Sequence, residues 1–259
     1  MPKIVTVEIS DDVADVLRRS VADGQKLLLP PKLDRPLYLK VDKVLKLLGG
    51  AWSRNVGAHV FDGDAKTAID AALSNGRVVD EQKSYQAFYT PDPLAEYLVD
   101  LAKAGPSDLA LEPSAGTGQI VRPLRKRTRF IDACEIRLEL KPQLESLGAI
   151  VVCDDFLKFS PGPSYSVIVA NPPFSGGQDA RHIDHMLDCL EPGGRLISVA
   201  SIAVKFRKDK KYVGLMGRLR REAKFDIIGS QDGVFEDSGT MVRTCVIVAE
   251  KKTVQGGTL

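Results

Sequence analysis

The chain has 259 residues, of which 36 are Lys or Arg and 34 are Asp or Glu, so its formal charge is +2. This near balance excludes an overall polybasic coat for nucleic acid and a strongly acidic tail, but it permits a local basic patch. With 44% hydrophobic residues, the chain can form one large domain, or a medium domain with a smaller attachment, and it needs no disulfide or metal for stability.

The first 84 residues are predicted to form a small, mainly helical module with few strand signals. Helical patterns cover residues 11–24, 41–48 and 64–73. The last two patterns run into glycine-containing pairs, which are typical of helix ends because glycine tolerates the left-handed conformation.

This module also carries aromatic and basic residues that could contact DNA. They are Tyr38, Lys40, Lys43, Lys46, Trp52 and Arg54. An isolated tryptophan in a small helical module is more often part of its core, so we expect Trp52 to lie there.

The four cysteines lie in apolar runs, and none of them forms a CxxC pair. They are Cys134, Cys153, Cys189 and Cys245. We expect reduced core residues of a cytoplasmic protein. The chain has no apolar run of about 18 residues and no signal-peptide core, so neither a membrane span nor secretion is expected.

From residue 85 to 252, short apolar runs alternate with stretches of helical length, and residues 253–259 read as a frayed tail. Strands are predicted at 109–112, 130–136, 150–154, 166–171, 195–201, 226–230 and 244–250, and helices near 92–104, 118–127, 137–147 and 178–190. This alternation predicts an α/β fold with a largely parallel, Rossmann-like sheet buried on both faces. The last two strands have no helix between them and should form an antiparallel hairpin at one edge.

The first chemical motif is LALEPSAGTGQI at residues 109–120, where a strand ends at Glu112 and a turn with Gly116 and Gly118 leads into a helix. Glycine allows the backbone to approach a ligand closely, and the new helix presents free amides to it. A carboxylate beside this turn would repel a pyrophosphate and attract a cationic ligand. The motif therefore favours S-adenosylmethionine over a dinucleotide.

Two further strand ends carry acidic residues. Glu135 closes the second strand, and an acid at this spacing is typical of a ligand for ribose hydroxyls. The third strand ends in Asp154-Asp155-Phe156, which offers a carboxylate for an adenine amino group and an aromatic ring to cover the base. One of these two aspartates could instead cap a turn.

The tetrapeptide Asn171-Pro172-Pro173-Phe174 follows the fourth strand directly. Its prolines stop the strand and hold the backbone rigid, so the Asn171 side-chain oxygen and the Pro172 carbonyl become two acceptors at fixed spacing. A planar amino group could donate to both, and Phe174 could stack on the ring that carries it. Acceptance of those two bonds favours a localised lone pair on the nitrogen, as attack on a methyl sulfonium requires.

Together these motifs resemble the amino-methyltransferases that use S-adenosylmethionine, and among them the DNA adenine-N(6) methyltransferases. The motifs are FYTP at 88–91, EPSAGTG at 112–118, CEI at 134–136, DFL at 155–157, NPPF at 171–174 and EPGGRLISV at 191–199. The position of FYTP resembles the gamma-type motif order, and residues 37–54 resemble the leading segment of phage and mobile-element methyltransferases. The resemblance implies the class I methyltransferase fold.

The resemblance also implies roles for individual residues. Those expected to bind the cofactor are Phe88, Tyr89, Thr90, Glu112, Pro113, Ser114, Ala115, Gly116, Gly118, Glu135, Ile136, Asp155, Phe156 and Asn171. Those expected to hold the target base are Asn171, Pro172, Pro173 and Phe174. Such DNA enzymes usually carry a target-recognition domain after the sheet, so here we expect the N-terminal module, a partner or a second copy of the chain to supply duplex contacts.

Residues 205–221 hold eight Lys or Arg against one Asp and follow the fifth strand, at the same edge of the sheet as Asn171. The residues expected to contact nucleic acid are Lys205, Arg207, Lys208, Lys210 and Lys211, with Phe206 and Tyr212 interleaved. A second basic cluster at 122–129 is expected to be plain surface. His182, His185 and Cys189 share a helical face, but a fourth ligand is missing and no metal site is expected.

The sequence therefore predicts transfer of a methyl group from S-adenosylmethionine to the exocyclic amino group of adenine in double-stranded DNA, with the target base flipped out of the duplex. Three alternatives stay open. The chain could methylate a base amino group in RNA, it could methylate a protein glutamine, or it could be a non-catalytic, methyltransferase-like subunit that binds DNA.

Overall fold

The structure, a computed structural model, describes residues 4–80, 84, 90–229 and 243–253. The chain divides into two compact units, Met1–Tyr85 and Gln86–Leu259, which we call the N-terminal unit and the C-terminal unit. Among the helices in the described ranges, none combines the length and the apolar character needed to cross a membrane.

The N-terminal unit contains three helices and six strands among its described residues. They are β1 (Thr6–Glu8), α1 (Asp11–Arg19), β2 (Val21–Asp23), β3 (Lys26–Leu28), α2 (Arg35–Leu47), β4 (Ala51–Ser53), β5 (Ala58–Val60), α3 (Ala65–Asn75) and β6 (Arg77–Val79). Strand β1 pairs antiparallel with β6, and the other four form an antiparallel sheet in the order β2-β3-β5-β4. The prediction of few strands is therefore wrong. Each strand has three residues, too few to show the alternation that identifies a strand in a sequence.

Helices α2 and α3 of this unit begin at aspartate caps, and all three helices pack through apolar faces. Asp34 accepts a hydrogen bond from the Leu37 N–H, and Asp64 accepts one from the Thr67 N–H, each at 2.8 Å. Such caps satisfy amides that have no partner within the helix. The apolar faces of α1, α2 and α3 then close a core of their own over the small sheet.

The C-terminal unit is built on a seven-stranded sheet in the order β12-β13-β11-β10-β7-β8-β9. Its elements are α4 (Asp92–Ala102), β7 (Leu109–Glu112), α5 (Val121–Arg125), β8 (Phe130–Cys134), α6 (Lys141–Ser146), β9 (Ile150–Cys153), β10 (Tyr165–Ala170), α7 (Gln178–Cys189), β11 (Leu190–Ser201), α8 (Lys210–Glu222), β12 (Ala223–Gly229) and β13 (Thr244–Lys251). Neighbouring strands from β11 to β9 run parallel, whereas β13 runs antiparallel to β11 and β12. The predicted mainly parallel sheet with an antiparallel edge pair is confirmed.

Helices cover both faces of this sheet because successive residues of its strands point to opposite sides. In β10, Val167 and Val169 pack toward α4 and α5, while Ile168 and Ala170 pack toward α7 and α8. The predicted loop between the last two strands falls on residues 230–242, and most of the predicted frayed tail falls on 254–259; both lie outside the described residues.

The parallel arrangement also fixes where a ligand can bind. Strands β7, β8, β9 and β10 all point their carboxyl ends toward one edge of the sheet. Loops at that edge form the usual ligand site of open α/β sheets. The four predicted motifs follow these four strands and therefore meet at one edge.

Two cysteines that were expected to be reduced form a disulfide, so that expectation is wrong for Cys134 and Cys153. They stand opposite each other at the ends of β8 and β9, with Cα atoms 4.8 Å apart. Their separation of 19 residues gave no recognisable motif, because strand pairing and not sequence spacing brings them together. Cys189 and Cys245 are free and buried, as expected.

The Cys134–Cys153 bond is expected to stabilise the oxidised protein by about 3 kcal/mol, because it closes a short loop in the unfolded chain. Urea unfolding with and without a thiol reductant measures the difference. Cys153→Ser should abolish it, whereas Cys245→Ser, at a buried cysteine outside the bond, should preserve it. An equal response of both variants to reductant would contradict the bond.

Candidate functional site

The turn after β7 is shaped by glycine at two positions. Gly116 and Gly118 have φ values of +53° and +85°, a region that other residues rarely adopt. A Cβ on Gly118 would lie only 2.5 Å from Cδ1 of Leu147. The Ala115 N–H donates to the Cys134 carbonyl at 3.0 Å, so the turn is tied to the end of β8.

Two carboxylates are buried beside this turn. Glu112 is 2% exposed and Glu135 is 7% exposed. Burial raises the pKa of Glu112 well above its ordinary value, and the negative charge of Glu135 raises it further, against an opposing hydrogen bond from the Val121 N–H. Within the described residues, Oε2 of Glu112 has no hydrogen-bond partner. A buried acceptor of this kind is suited to a cationic ligand.

Glu135 already has donors at both of its oxygens. The Gly116 N–H donates to Oε2 at 2.7 Å, and Arg137 donates to Oε1 through its backbone N–H at 2.9 Å and its Nε at 3.2 Å. Arg137 is itself 4% exposed. A ribose could reach Oε1 only by replacing the Arg137 side chain there. Sequence reasoning missed Arg137; the signal was a charged residue two positions after the predicted ribose ligand.

The residues predicted to contact an adenine ring have different surroundings. Ile136 is 40% exposed at the edge of the sheet, which suits it to cover a flat ring. Phe156 is 2% exposed, and its ring packs against His182 and His185, with ring centres 5.5 and 4.8 Å away. Phe156 is therefore part of the core, whereas Ile136 faces solvent.

Asp155 caps the short 3-10 turn that follows β9. Its Oδ1 accepts from the Leu157 N–H at 3.2 Å, and its Oδ2 lies 3.0 Å from the Lys158 ammonium. Burial opposes ionisation of this carboxyl, but the Lys158 hydrogen bond and charge outweigh it, so the pKa of Asp155 is lowered. A cofactor amino group would have to share Asp155 with these two partners.

Asn171 is connected to a residue that lies 81 positions earlier. Its Nδ2 donates to the Thr90 hydroxyl at 3.1 Å, and Thr90 is 7% exposed. Within the described residues, the buried Oδ1 of Asn171 accepts no hydrogen bond. The Thr90 contact therefore orients the amide and leaves one acceptor for a donor from outside. Phe88 and Tyr89, predicted with Thr90, lie outside the described residues.

The rest of this tetrapeptide is less accessible than the sequence suggested. Pro172 is buried and Pro173 is half-buried. Phe174 is 7% exposed and belongs to the core on the α4 side of the sheet. To stack on a target base, the Phe174 ring would have to turn out of this core.

The predicted basic segment is held against the loop that follows Phe174. The Lys211 ammonium donates to the Gly176 carbonyl. The Tyr212 hydroxyl donates to Oδ1 of Asp179 at 3.0 Å, and the Ser201 N–H donates to Oδ2 of the same carboxylate at 2.9 Å. Asp179 is fully buried, so it connects the end of β11 with the starts of α7 and α8.

The structure corrects the prediction for one residue of the basic segment. Tyr212 was interleaved with the predicted nucleic-acid contacts, but it is 2% exposed and serves as an internal donor. Phe206, by contrast, is 66% exposed. The five basic residues predicted to contact nucleic acid are all exposed, namely Lys205, Arg207, Lys208, Lys210 and Lys211.

Sequence reasoning missed Asp179, because an aspartate near a helix start is normally interpreted as a helix cap.

His182, His185 and Cys189 show no arrangement for metal binding. In the part of the chain that the structure describes, no group of three metal-ligating side chains comes together. Burial lowers the pKa of His182 to about 4, which keeps its imidazole neutral.

Sequence comparison finds partial relatives of this chain. It is 26% identical over 197 residues to the defense against restriction protein B of Escherichia phage P1, a match covering 65% of this chain and 8% of that protein. It is 32% identical over 106 residues to a type II methyltransferase of Thermus thermophilus, covering 38% of this chain and 23% of that enzyme. The chain thus spans less than a quarter of either relative. No protein-family model matches it.

Structure comparison identifies the fold. The M protein of the type I restriction enzyme EcoKI aligns with a TM-score of 0.53 and 18% identity, over 93% of this chain and 57% of that one. The 23S rRNA methyltransferase ErmE aligns with a TM-score of 0.51 and 18% identity, over 64% and 70% of the two chains. The C-terminal unit therefore has the Rossmann-like class I methyltransferase fold.

The residues at the sheet edge fit S-adenosylmethionine, the cofactor that the sequence predicts. S-adenosylmethionine carries an ammonium and a sulfonium, and the unpartnered Oε2 of Glu112 is a buried acceptor for positive charge. The glycine turn lets the backbone come close to a ligand, and the exposed Ile136 offers an apolar surface. A ribose hydroxyl at Oε1 of Glu135 would have to displace the Arg137 side chain, whereas Oε2 accepts a bond from the Gly116 N–H.

Replacement of Glu112 by Gln tests whether the fold disfavours the charged form of its carboxyl. Because the folded-state pKa of Glu112 is raised, its contribution to stability is complete below the unfolded pKa and is lost as the pH rises through the folded value. Glu112→Gln should therefore increase the free energy of unfolding at about pH 8 and have little effect at about pH 4. Urea unfolding at both pH values measures this difference.

Glu145→Gln is the matched control, since Glu145 lies on α6 with its side chain 50% exposed. It should change stability by the same small amount at both pH values. If Glu112→Gln also had a pH-independent effect, the raised pKa of Glu112 would be refuted.

Proposed function

We propose that this chain transfers a methyl group from S-adenosylmethionine to the exocyclic amino group of adenine in DNA. The observation that carries the proposal is the Asn171 amide. Its Nδ2 is engaged by Thr90, and its Oδ1 is buried without a partner among the described residues. A buried acceptor without a partner is costly for a folded protein, and a donor from a substrate would relieve that cost.

The residues at the sheet edge divide into a part for the cofactor and a part for the base. Thr90, the turn from Glu112 to Gly118, Glu135, Ile136 and Asp155 would hold the cofactor. When bound, S-adenosylmethionine supplies an electrophilic methyl group. The carboxylates of Glu112 and Glu135 would balance its positive charge.

The chain's own contribution to the reaction is mainly to position the amino group. Asn171 Oδ1 and the Pro172 carbonyl would each accept a hydrogen bond from it. Both bonds draw the nitrogen away from planar geometry and localise its lone pair. Holding two reactants in this way converts a bimolecular step into an effectively unimolecular one.

DNA is favoured as the substrate by the relatives and by the basic segment. A type II methyltransferase and a type I restriction M protein are among the matches. The exposed residues from Lys205 to Lys211 follow β11, and Lys211 contacts the loop after Phe174. Cations beside the target-base residues suit the phosphates on either side of a flipped nucleotide.

A base amino group in RNA is the second candidate substrate. The likeness to the rRNA methyltransferase ErmE supports it, and an Asn171 acceptor would serve an adenine in either nucleic acid. Incubation with labelled S-adenosylmethionine and duplex DNA, single-stranded RNA or protein distinguishes these classes. Label in DNA that digests to N(6)-methyladenine nucleoside is the expected outcome, and label in RNA or protein alone would refute the DNA assignment.

Asn171→Ala is expected to lower the rate of methyl transfer by about 100- to 1,000-fold, because it removes the acceptor for the amino group. Cofactor binding, measured by calorimetry, should stay close to wild type. Asn171→Asp keeps an acceptor oxygen at the same place and should lose less activity. Full activity of Asn171→Ala would eliminate the proposed mechanism.

The double variant Lys208→Gln with Lys210→Gln tests the basic segment. It should weaken DNA binding and reduce the slope of log affinity against log salt by up to about 2, since each cation that contacts a phosphate releases about one counterion. Arg122→Gln with Arg129→Gln, at exposed arginines of the second basic cluster, is the control. An unaltered slope in the lysine variant would mean that this segment does not contact DNA.

A further inference from the structure

The N-terminal unit exposes the single tryptophan of the chain. Trp52 lies on β4, which is an edge strand of the small sheet, and it is 49% exposed. The expectation that Trp52 belongs to the core is therefore wrong. A half-exposed tryptophan is a large apolar surface left in water, and such side chains concentrate at binding surfaces.

Trp52 packs on a buried histidine that contacts polar side chains of α2. Its ring meets the imidazole of His59 edge-on, with ring centres 5.3 Å apart, and His59 is fully buried. The His59 Nε2 lies 3.3 Å from Oδ1 of Asp42, and Lys46 donates to Oδ2 of the same carboxylate at 2.7 Å. The ring of Tyr38 lies 6.3 Å from the His59 imidazole. The indole therefore packs on an imidazole that is itself linked to α2 through Asp42.

The sequence that leads up to Trp52 and just past it is rich in positive charge. Residues 35–54 contain five Lys or Arg and one acid, Asp42. The Asp42 carboxylate is engaged by Lys46 and His59. Lys43 and Arg54 are exposed, and Lys43 lies on the same helix as Lys46.

We infer that Trp52, Lys43, Lys46 and Arg54 form a nucleic-acid contact, here called the Trp52 surface. The indole stacks on an unpaired base, and the three cations bind the flanking phosphates. An aromatic platform with nearby cations is how proteins bind single strands without reading their sequence, because every base has a flat π face. The inference rests on the proposed function only in that the substrate is a nucleic acid.

The test uses the full chain and excites its tryptophan near 295 nm, so that all the signal comes from Trp52. A single-stranded oligodeoxynucleotide is expected to quench this emission, and the quenching should weaken as salt rises. A matched duplex and a single-stranded RNA form the other arms. Binding is followed in parallel by the anisotropy of a fluorescein label on the oligonucleotide.

Substitutions then show which side chains contribute to the affinity for the oligonucleotide. Trp52→Ala should lower oligonucleotide affinity by about 5- to 150-fold, the range expected for loss of one stacked base. Trp52→Phe should recover most of it, and Phe130→Ala, at an aromatic residue that is 50% exposed in the C-terminal unit, should have no effect. Lys43→Glu with Arg54→Glu leaves the indole in place and should reduce the quenching.

The outcomes separate this inference from the proposed function. If labelled DNA binds and is methylated while Trp52 emission stays constant, the Trp52 surface is refuted and the proposed function stands. Quenching without methylation supports the surface and contradicts the function. Quenching by RNA alone supports the surface and contradicts a DNA substrate. A blue shift that grows with protein concentration and blocks quenching would mean that a second copy covers Trp52, and it would overturn the inference.

Discussion

The arrangement of the C-terminal unit depends on holding two carboxylates, Glu112 and Glu135, close together away from water. Two acids in one buried place repel each other, so neighbouring groups must offset the repulsion. The Gly116 N–H and Arg137 donate to Glu135, and the Val121 N–H opposes the rise in the pKa of Glu112. These contacts explain why an arginine is buried beside the turn.

A second buried acid organises the other half of the edge. Asp179 receives hydrogen bonds from the Ser201 N–H and from Tyr212, which join the end of β11 to α7 and α8. Lys211 adds a bond to the loop after Phe174. The exposed basic residues are therefore presented by a fixed helix start, next to the turn that carries Asn171. Glu112 and Asp179 thus have similar structural roles, one on the side proposed for the cofactor and one on the side proposed for the nucleic acid.

The sequence was sufficient to predict the large sheet, because its central parallel strands are short β-branched runs. It was also sufficient to predict where those strands end, because their end residues carry recognisable motifs. Other features depend on tertiary contacts that leave no local pattern. The three-residue strands of the N-terminal unit are one example, and the Cys134–Cys153 bond is another. Aromatic residues were the least predictable. Phe156 and Tyr212 turn inward while Trp52 turns outward, since packing and not residue type decides their direction.

The charge balance of the side proposed for the cofactor agrees with a cationic ligand. With both acids ionised, Glu112, Glu135 and Arg137 sum to one negative charge. S-adenosylmethionine carries an ammonium, a sulfonium and a carboxylate, which sum to one positive charge, so the bound site would be neutral. In the absence of that cation, burial and Glu135 favour protonation of Glu112, as its raised pKa reflects. In the proposed reaction the sulfonium would become a neutral thioether. The product would then no longer balance the two acids, and the same electrostatics that would favour binding of the cofactor would favour release of its product.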